Sequence, residues 1–454
     1  MPLSINPATN ERIASYEEFT PERIRDILDA ADGAFLSWRK TSFGERSGKM
    51  LSAAKVLRNR KFEFAHLMTR EMGKPIVQAE AEIEKCAWVC EYYAENAEKF
   101  LADEVIATDA TKSFVAFQPL GVVLAVMPWN FPFWQVFRFA VPALMAGNTC
   151  ILKHASNVTG CALAIESIFR EAEFPIEIFR TVIVSSNRVA DLIKVPIIKA
   201  VTLTGSTPAG IAVASAAGSV LKKSVLELGG SDPYVVLKDA DLKAAAEACV
   251  TARLINGGQS CIAAKRFIVE QPVFRDFVTL FLDSMRTRKM GSPLERDTDL
   301  GPLARMDLRD ELNVQVEKSI VQGAETIMGC VIPDMPGAWY PPSVLVNVEP
   351  GMAAFDEELF GPVAAIISAK DENDALMLAN LSDFGLGAAL FTADIEKGEH
   401  LAKHSLHAGS CFINSYVKSD PRLPFGGIKD SGYGRELSHY GIKEFMNIKS
   451  VYIK

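Results

Sequence analysis

A thiol, a carboxylate and a tight strand-to-helix turn are the parts of this chain whose residue types and spacing can do chemistry. Cys261 sits in Asn256-Gly-Gly-Gln-Ser-Cys261-Ile-Ala-Ala-Lys265, just ahead of the strand-like run Arg266 to Val269. Glycines let a backbone approach a ligand closely, and a thiolate is a strong nucleophile. A Cys in such a turn is therefore a candidate for covalent catalysis. The competing reading is that of most free cysteines, a small buried hydrophobe. Glu227 lies in the apolar run Val225-Leu-Glu-Leu, ahead of Gly229-Gly230. A carboxylate there is either a satisfied structural acid or one whose raised pKa suits general-base work. Ala200 to Thr204 runs into Gly205-Ser-Thr-Pro-Ala-Gly210, with Ser206 and Thr207 as helix caps and Pro208 in the first turn. A free helix N-terminus after a strand binds phosphate, although such a turn is often only a connection. His400, His404 and His407 recur at helical spacing. Without an acidic or Cys partner nearby they read as an exposed polar face, and Cys86 with Cys90 as packing, so no metal is expected.

The elements that must hold these groups follow from the hydrophobic pattern. Residues 21 to 100 read as helices, with Ala30 to Trp38, Arg46 to Leu57 and Glu80 to Phe100 the clearest. From Gly121 strands alternate with helices: Val122 to Met127, Thr149 to Lys153, Thr181 to Val184 and Ala200 to Thr204, separated by helices at Phe133 to Ala146, Cys161 to Ala172 and Val189 to Ile193. This alternation predicts βαβ units and a doubly wound parallel sheet, with its ligand at the carboxyl ends of the strands. After the helix Asp239 to Ile255 and the Cys261 turn, a second alternation gives strands at Phe267 to Val269, Thr326 to Met328, Val344 to Val346 and Cys411 to Asn414. Its helices are Val273 to Arg288 and Met306 to Gln322. Phe114 to Phe117 and the terminal Lys449 to Lys454 read as strands outside both units. The terminal one is expected to need a partner, such as another subunit's sheet edge.

The totals exclude some functions. In 454 residues, 49% are apolar and 23% charged, with a net charge of −8 and no basic block, so nucleic acid and anionic membrane are not expected partners. The most apolar window, Phe131 to Leu152, contains Pro132, Pro142, Gln135, Arg138 and Asn148, against a membrane span. The eight cysteines show no disulfide framework, and no signal peptide is visible at the start, which together suggest a cytoplasmic setting.

Taken in order, Met127-Pro-Trp-Asn-Phe-Pro, Leu152-Lys, Thr204-Gly-Ser, Leu226-Glu-Leu-Gly-Gly, Gly258-Gln-Ser-Cys, Glu358-Leu-Phe-Gly-Pro and Pro424-Phe-Gly-Gly resemble the aldehyde dehydrogenase superfamily, from about residue 4 to the end. Within it the chain is most similar to bacterial succinate-semialdehyde dehydrogenases, through Asn130 to Arg138, Leu226 to Pro233 and Val417 to Pro421. The resemblance implies an α/β fold: a doubly wound dinucleotide-binding domain (1–108 and 122–227), an α/β catalytic domain (228–418) and a small β oligomerisation element (109–121 and 435–454). It implies that Cys261 attacks the aldehyde, that Asn130 and the Cys261 N–H stabilise the oxyanion, and that Glu227 activates water. It also implies that Lys153 and Glu358 meet the cofactor riboses, that Trp129 and Phe360 line the cofactor cleft, and that Gly205 and Ser206 meet the pyrophosphate. Where NAD-preferring relatives carry a Glu, this chain has Ser156, with His154 nearby, so NADP is the favoured cofactor and NAD remains open. Arg138, roughly two helical turns after Asn130, is expected to face the tunnel and meet a substrate carboxylate, with Trp134 and Ser419 shaping the same pocket. The expected reaction is oxidation of a short carboxylated aldehyde by a homodimer or a dimer of dimers. CoA acylation is disfavoured by Glu227, and a non-catalytic scaffold would need none of these groups.

Overall fold

Helices Pro21–Trp38, Phe43–Asn59, Lys61–Met72 and Ile76–Phe100 open the fold, seen in a computed structural model that describes residues 1–454. The first begins at Thr20, whose side-chain oxygen accepts from the Arg23 N–H at 3.3 Å. Pro21 occupies a first-turn position, where a missing N–H is harmless. Ile24, Ile27, Leu28, Ala31, Phe35 and Trp38 form its buried stripe. An antiparallel pair, Leu3–Ile5 with Arg12–Ser15, precedes these helices. The sequence reading did not find it.

The apolar runs after Gly121 form a six-stranded sheet in the order Gly432–Tyr433, Lys223–Glu227, Ile198–Thr204, Val122–Met127, Thr149–His154, Phe179–Thr181. All neighbours are parallel except the first pair. Burial on both faces explains the unbroken hydrophobic runs. Val123 and Ala125 join one core with the helices Ile76–Phe100 and Trp134–Met145, whereas Val122 and Leu124 join another with Pro21–Trp38 and Thr207–Gly218. Strand order reverses between Val122–Met127 and Ile198–Thr204, so the crevice beyond their carboxyl ends is the natural ligand site. The strand expected at Thr181 to Val184 lies earlier, at Phe179–Thr181. Val182 still donates to the Leu152 carbonyl at 2.8 Å. Beyond it the chain leaves the ladder while Ile183 and Val184 stay buried, so this β-branched run reports burial rather than pairing.

A seven-stranded sheet follows, ordered Glu325–Met328, Ser343–Val346, Val363–Ala369, Arg266–Glu270, Pro233–Val236, Gly387–Phe391, Ser410–Ile413. Only its first pair is antiparallel. Pro233–Val236, Val363–Ala369 and Gly387–Phe391 were not expected from sequence, because short buried apolar runs do not distinguish a strand from a buried helix. The terminal strand, Met446–Ile453, finds its partner within the chain: it pairs antiparallel with Lys112–Pro119, which also takes Glu104–Val105.

The apolar window around Phe131 contains the helix Trp134–Met145, every residue of which is buried, and no helix is long and apolar enough to cross a membrane. His400 and His404 are exposed on the helix Ile395–His404, while His407 lies beyond its end. No group of three or more His, Cys, Asp or Glu is placed to hold a metal ion.

Candidate active site

The Cys261 turn joins the helix Leu242–Leu254 to the strand Arg266–Glu270, and its neighbours fix it tightly. Asn256, Gly257 and Gly258 all take positive φ, at 52°, 64° and 76°. A Cβ at Gly258 would lie 2.2 Å from the Gly361 carbonyl oxygen, so the Glu358-Leu-Phe-Gly-Pro segment packs where only glycine fits. Gln259 Nε2 donates to the Asn256 carbonyl at 3.1 Å, and its Oε1 accepts from the Ala304 N–H at 2.8 Å. Lys265 Nζ donates to the carbonyls of Ser260 at 2.9 Å and Cys261 at 2.6 Å, and pairs with Glu358 at 3.2 Å. Lys265 thus ties the thiol's backbone to Glu358. The sequence reading gave it no role, because a lysine entering a strand carries no signal of its partners.

Two cavities meet at Cys261. One, of about 380 Å³, is lined by Pro128, Trp129, Asn130, Thr204, Gly205, Ser206, Leu228, Gly229, Glu358 and Phe360, among others. It sits at the strand-order reversal of the first sheet. The other, of about 210 Å³, is lined by Lys85, Phe131, Trp134, Arg138, Val417, Ser419 and Phe425, among others. That volume is below the roughly 300–1,000 Å³ usual for drug-sized ligands, so its occupant is small. Cys261 is the residue common to both. Burial pushes its thiol up to about 12, against the pull of Arg138 and Lys265, so the resting group is a neutral thiol. Alkylation of Cys261 by iodoacetamide should then accelerate about tenfold per pH unit from pH 7 to 9, because only the thiolate reacts. Peptide mass mapping would follow it, and a plateau within that range would contradict a buried, protonated thiol.

Asn130 is buried, and its Nδ2 donates to the Gln259 carbonyl at 3.1 Å. An amide nitrogen carries a second hydrogen, and Asn130 lines the 380 Å³ cavity beside Cys261. The Cys261 N–H donates to no backbone carbonyl. Two donors therefore border the thiol.

Glu227 closes the strand Lys223–Glu227 and pairs with Thr204 on one side and Gly432 on the other. Its carboxyl oxygens are buried and accept no hydrogen bond. Room for them exists because Gly426, at φ 151°, lacks the Cβ that would fall 2.7 Å from Glu227 Oε1. Burial, then the neighbouring Glu436, hold the Glu227 pKa well above the usual carboxylate range, against Arg138 and Arg435. Glu227 lines neither cavity.

Arg138 reaches the smaller cavity, as its spacing from Asn130 implied. Its charge, however, is already met. The guanidinium forms a buried ion pair with Glu436 and lies 4.4 Å from the centre of the Phe425 ring. Removing one partner of a buried pair leaves the other charge uncompensated, at about 3–5 kcal/mol. Arg138→Ala should therefore lower the thermal unfolding midpoint and depress turnover of every substrate alike. Arg138→Met combined with Glu436→Leu should recover much of the midpoint, and a single variant as stable as the parent would show that the pair contributes nothing.

The helix Trp134–Met145 that carries Arg138 is held at its start by Glu82, whose Oε1 accepts from the Phe133 and Trp134 N–H groups at 2.9 Å each. A carboxylate there satisfies orphan donors and suits the helix dipole. Glu82 is itself paired with the buried Lys74. Trp134 Nε1 donates to Ser419 Oγ at 3.1 Å, so two residues expected in the pocket touch each other.

Three observations fit a dinucleotide, two of them on the larger cavity and the third at Lys153, which lines neither cavity. Ser206 precedes the helix Thr207–Gly218 without a side-chain cap bond, leaving first-turn N–H groups open. Lys153, nine-tenths buried at the end of the strand Thr149–His154, has its pKa lowered by burial, with only Glu18 acting to raise it. Trp129 and Phe360 meet edge to face, 5.8 Å apart, on the cavity wall. Ser156 follows on an exposed turn. His154 does not join it: its ring nitrogens contact the Pro132 carbonyl and the Ala155 N–H, each at 2.9 Å. Burial pulls its pKa down to about 4, so at neutral pH it offers no charge to a phosphate.

The aldehyde dehydrogenase family model matches residues 3–451. A probable succinate-semialdehyde dehydrogenase [NADP(+)] of Synechocystis sp. is 50% identical over 450 residues, covering 99% of both chains. A succinate semialdehyde dehydrogenase [NAD(P)+] of Escherichia coli is 48% identical over 99% of this chain and 97% of its own. The crystal structure of succinic semialdehyde dehydrogenase from Streptococcus pyogenes with NADP+ superposes with a TM-score of 0.98, at 35% identity and full coverage of both chains. With a thiol where the two cavities meet, and this match along its whole length, the chain belongs to the aldehyde dehydrogenase family.

Proposed function

We propose that this chain oxidises succinate semialdehyde, or a similar short carboxylated aldehyde, to the acid with NADP. The observation that carries the reading is the position of Cys261 where the two cavities join. An aldehyde entering from the small cavity meets the thiol and a cofactor held in the larger one. The names of the relatives support this substrate and cofactor.

The Cys261 thiol releases its proton to solvent, the net proton of the reaction, as its sulfur adds to the aldehyde carbon, and the Asn130 amide and Cys261 N–H stabilise the charge that develops on oxygen. NADP, when bound, supplies the acceptor for the hydride that leaves the adduct carbon. The resulting Cys261 thioester is then cleaved by water, with Glu227 taking the water's proton. One aldehyde, one water and NADP+ thus give one acid, NADPH and a proton. Glu227 lines neither cavity, so its carboxyl must rotate towards Cys261 to act. Ser206 and Gly205 receive the pyrophosphate, Lys153 and Glu358 the riboses, and Trp129 with Phe360 flank the cofactor. Trp134, Arg138 and Ser419 wall the substrate. A steady-state assay of succinate semialdehyde against butyraldehyde, each with NADP and NAD, tests the reading. Equal efficiency with both aldehydes would remove the carboxylated substrate, and no reduction of either cofactor would remove the reaction.

Ser156 sets the cofactor preference by leaving room for, and a hydroxyl donor to, the 2′-phosphate. Ser156→Glu is expected to shift the ratio of kcat/KM values from NADP towards NAD by about one to two decades, because a carboxylate repels the phosphate. An unchanged ratio would place the determinant elsewhere.

The protein acts in a reducing, cytoplasmic setting on this reading, in line with its eight free cysteines. Association as a homodimer or dimer of dimers would use the three-stranded element, whose end strand exposes Ile448, Tyr452 and Ile453. Light scattering on an Ile448→Lys variant reads this, with a smaller particle expected.

A further inference from the structure

The small cavity contains charges of both signs, and pairing them off leaves one half-buried cation over. Glu82 is paired with Lys74, and Glu436 with Arg138. Lys85, on the helix Ile76–Phe100, lines the same cavity as Cys261. Its Nζ donates to Ser419 Oγ at 2.7 Å and lies 4.1 Å from the centre of the Trp134 ring. No carboxylate forms an ion pair with it. Lys418 also borders the cavity but is exposed, where solvent and salt screen its charge.

Ser419 sharpens this point. Its oxygen accepts from both Lys85 Nζ, at 2.7 Å, and Trp134 Nε1, at 3.1 Å. A hydroxyl has two acceptor sites and one hydrogen. With both acceptor sites engaged, the Ser419 O–H is left to donate. This part of the cavity therefore presents an ammonium and a hydroxyl hydrogen, while Gln135 Oε1 is a buried, unpaired acceptor elsewhere on the lining. A group that only accepts and carries negative charge fits this arrangement. A hydroxyl or an amine in the same place would leave the Lys85 ammonium without a counter-charge.

Resting on the proposed oxidation of a carboxylated aldehyde, we infer that Lys85, with the Ser419 hydroxyl, is the anchor for the substrate's distal carboxylate, while Arg138 is held by Glu436 as part of the wall. Lys85 acts in binding, not in the bond-making steps at Cys261.

A titration signature follows. Lys85 is charged below its pKa, and burial, then the repulsion of Arg138, lower that pKa to about 8, against Cys86, Glu82 and Asp420. Of these neighbours Glu82 is neutralised by Lys74, and Asp420 by Arg422 at 2.6 Å. KM for the carboxylated aldehyde should hold steady below about pH 8 and climb above it as the ammonium loses its proton. KM for an uncharged aldehyde should not follow that curve, so Cys261 ionisation, common to both substrates, is separated from it.

The experiment measures kcat and KM for succinate semialdehyde, butyraldehyde and 4-hydroxybutyraldehyde with the full-length parent, Lys85→Met and Lys85→Arg. Met keeps a long chain against Trp134, and Arg keeps the charge without titrating. In Lys85→Met, KM for succinate semialdehyde should rise about 10–100-fold, with kcat little changed and butyraldehyde within about threefold of the parent. Lys85→Arg should recover much of the loss and abolish the climb of KM above pH 8. If Lys85→Met loses activity equally on all three aldehydes, or keeps the parent's preference for the carboxylated one, the assignment is overturned. A parent enzyme with no such preference would instead overturn the substrate reading on which the assignment rests. If Lys85→Met does not fold, the pH dependence of KM in the parent and in Lys85→Arg decides alone.

Discussion

Cys261→Ala is expected to abolish turnover, with kcat falling by on the order of 10⁴–10⁶, while NADP still binds. The size of the effect follows from the geometry. Cys261 is the residue shared by the two cavities, and the other seven cysteines are either fully buried in cores or, like Cys411, on the second sheet away from both cavities. No second thiol can take its place. The crevice proposed for the cofactor is lined by Trp129, Ser206 and Phe360 as well as Cys261, and removing the sulfur leaves those side chains in place. Calorimetric titration with NADP alongside an NADPH absorbance assay reads both halves. Turnover within about a hundredfold of the parent would exclude a covalent route through this residue, whereas lost cofactor binding would mean the turn itself had collapsed.

Glu227→Gln should separate the two halves of the reaction. The first turnover should release NADPH as a rapid burst, and the steady state should then slow by about 10²–10⁴. Glutamine keeps the shape beneath Gly426 but cannot take a proton from water. The pH profile adds a sign. Glu227 acts as a base only when ionised, and burial with the adjacent Glu436 raises its pKa. Steady-state kcat of the parent should therefore climb as pH rises towards that pKa, and Glu227→Gln should lose this limb. Stopped-flow absorbance checks the burst. A slow first turnover of the same size would place Glu227 ahead of hydride transfer.

How much of this was legible in the sequence depended on the range of each interaction. Cys261 stood out because the two glycines beside it are needed locally, and their positive φ values bear out the reason. The parallel sheet around Val122–Met127 was readable because burial on both faces leaves an unbroken apolar run. The second sheet was only half visible, since Val363-Ala-Ala-Ile-Ile and Gly387-Ala-Ala-Leu-Phe carry no period. Helical spacing directed Arg138 to the side of Asn130, and it lines the smaller cavity, but its partner Glu436 comes from a distant segment that no local pattern links to it. Lys85 was invisible for the same reason: on a helix of mixed charge it reads as a solvated side chain, and only the fold sets it against Trp134 and Ser419. His154 shows the opposite error, since proximity in sequence to Ser156 did not bring its ring to the same surface.

The most direct test of the account is to trap the acyl group. Glu227→Gln is mixed with succinate semialdehyde and NADP, quenched in acid within the burst, digested and analysed by mass spectrometry. The account predicts a succinyl thioester on the peptide carrying Cys261, in an amount matching the NADPH burst, and none on the other cysteines. A burst of NADPH without an acylated Cys261, or acylation at another residue, would contradict it.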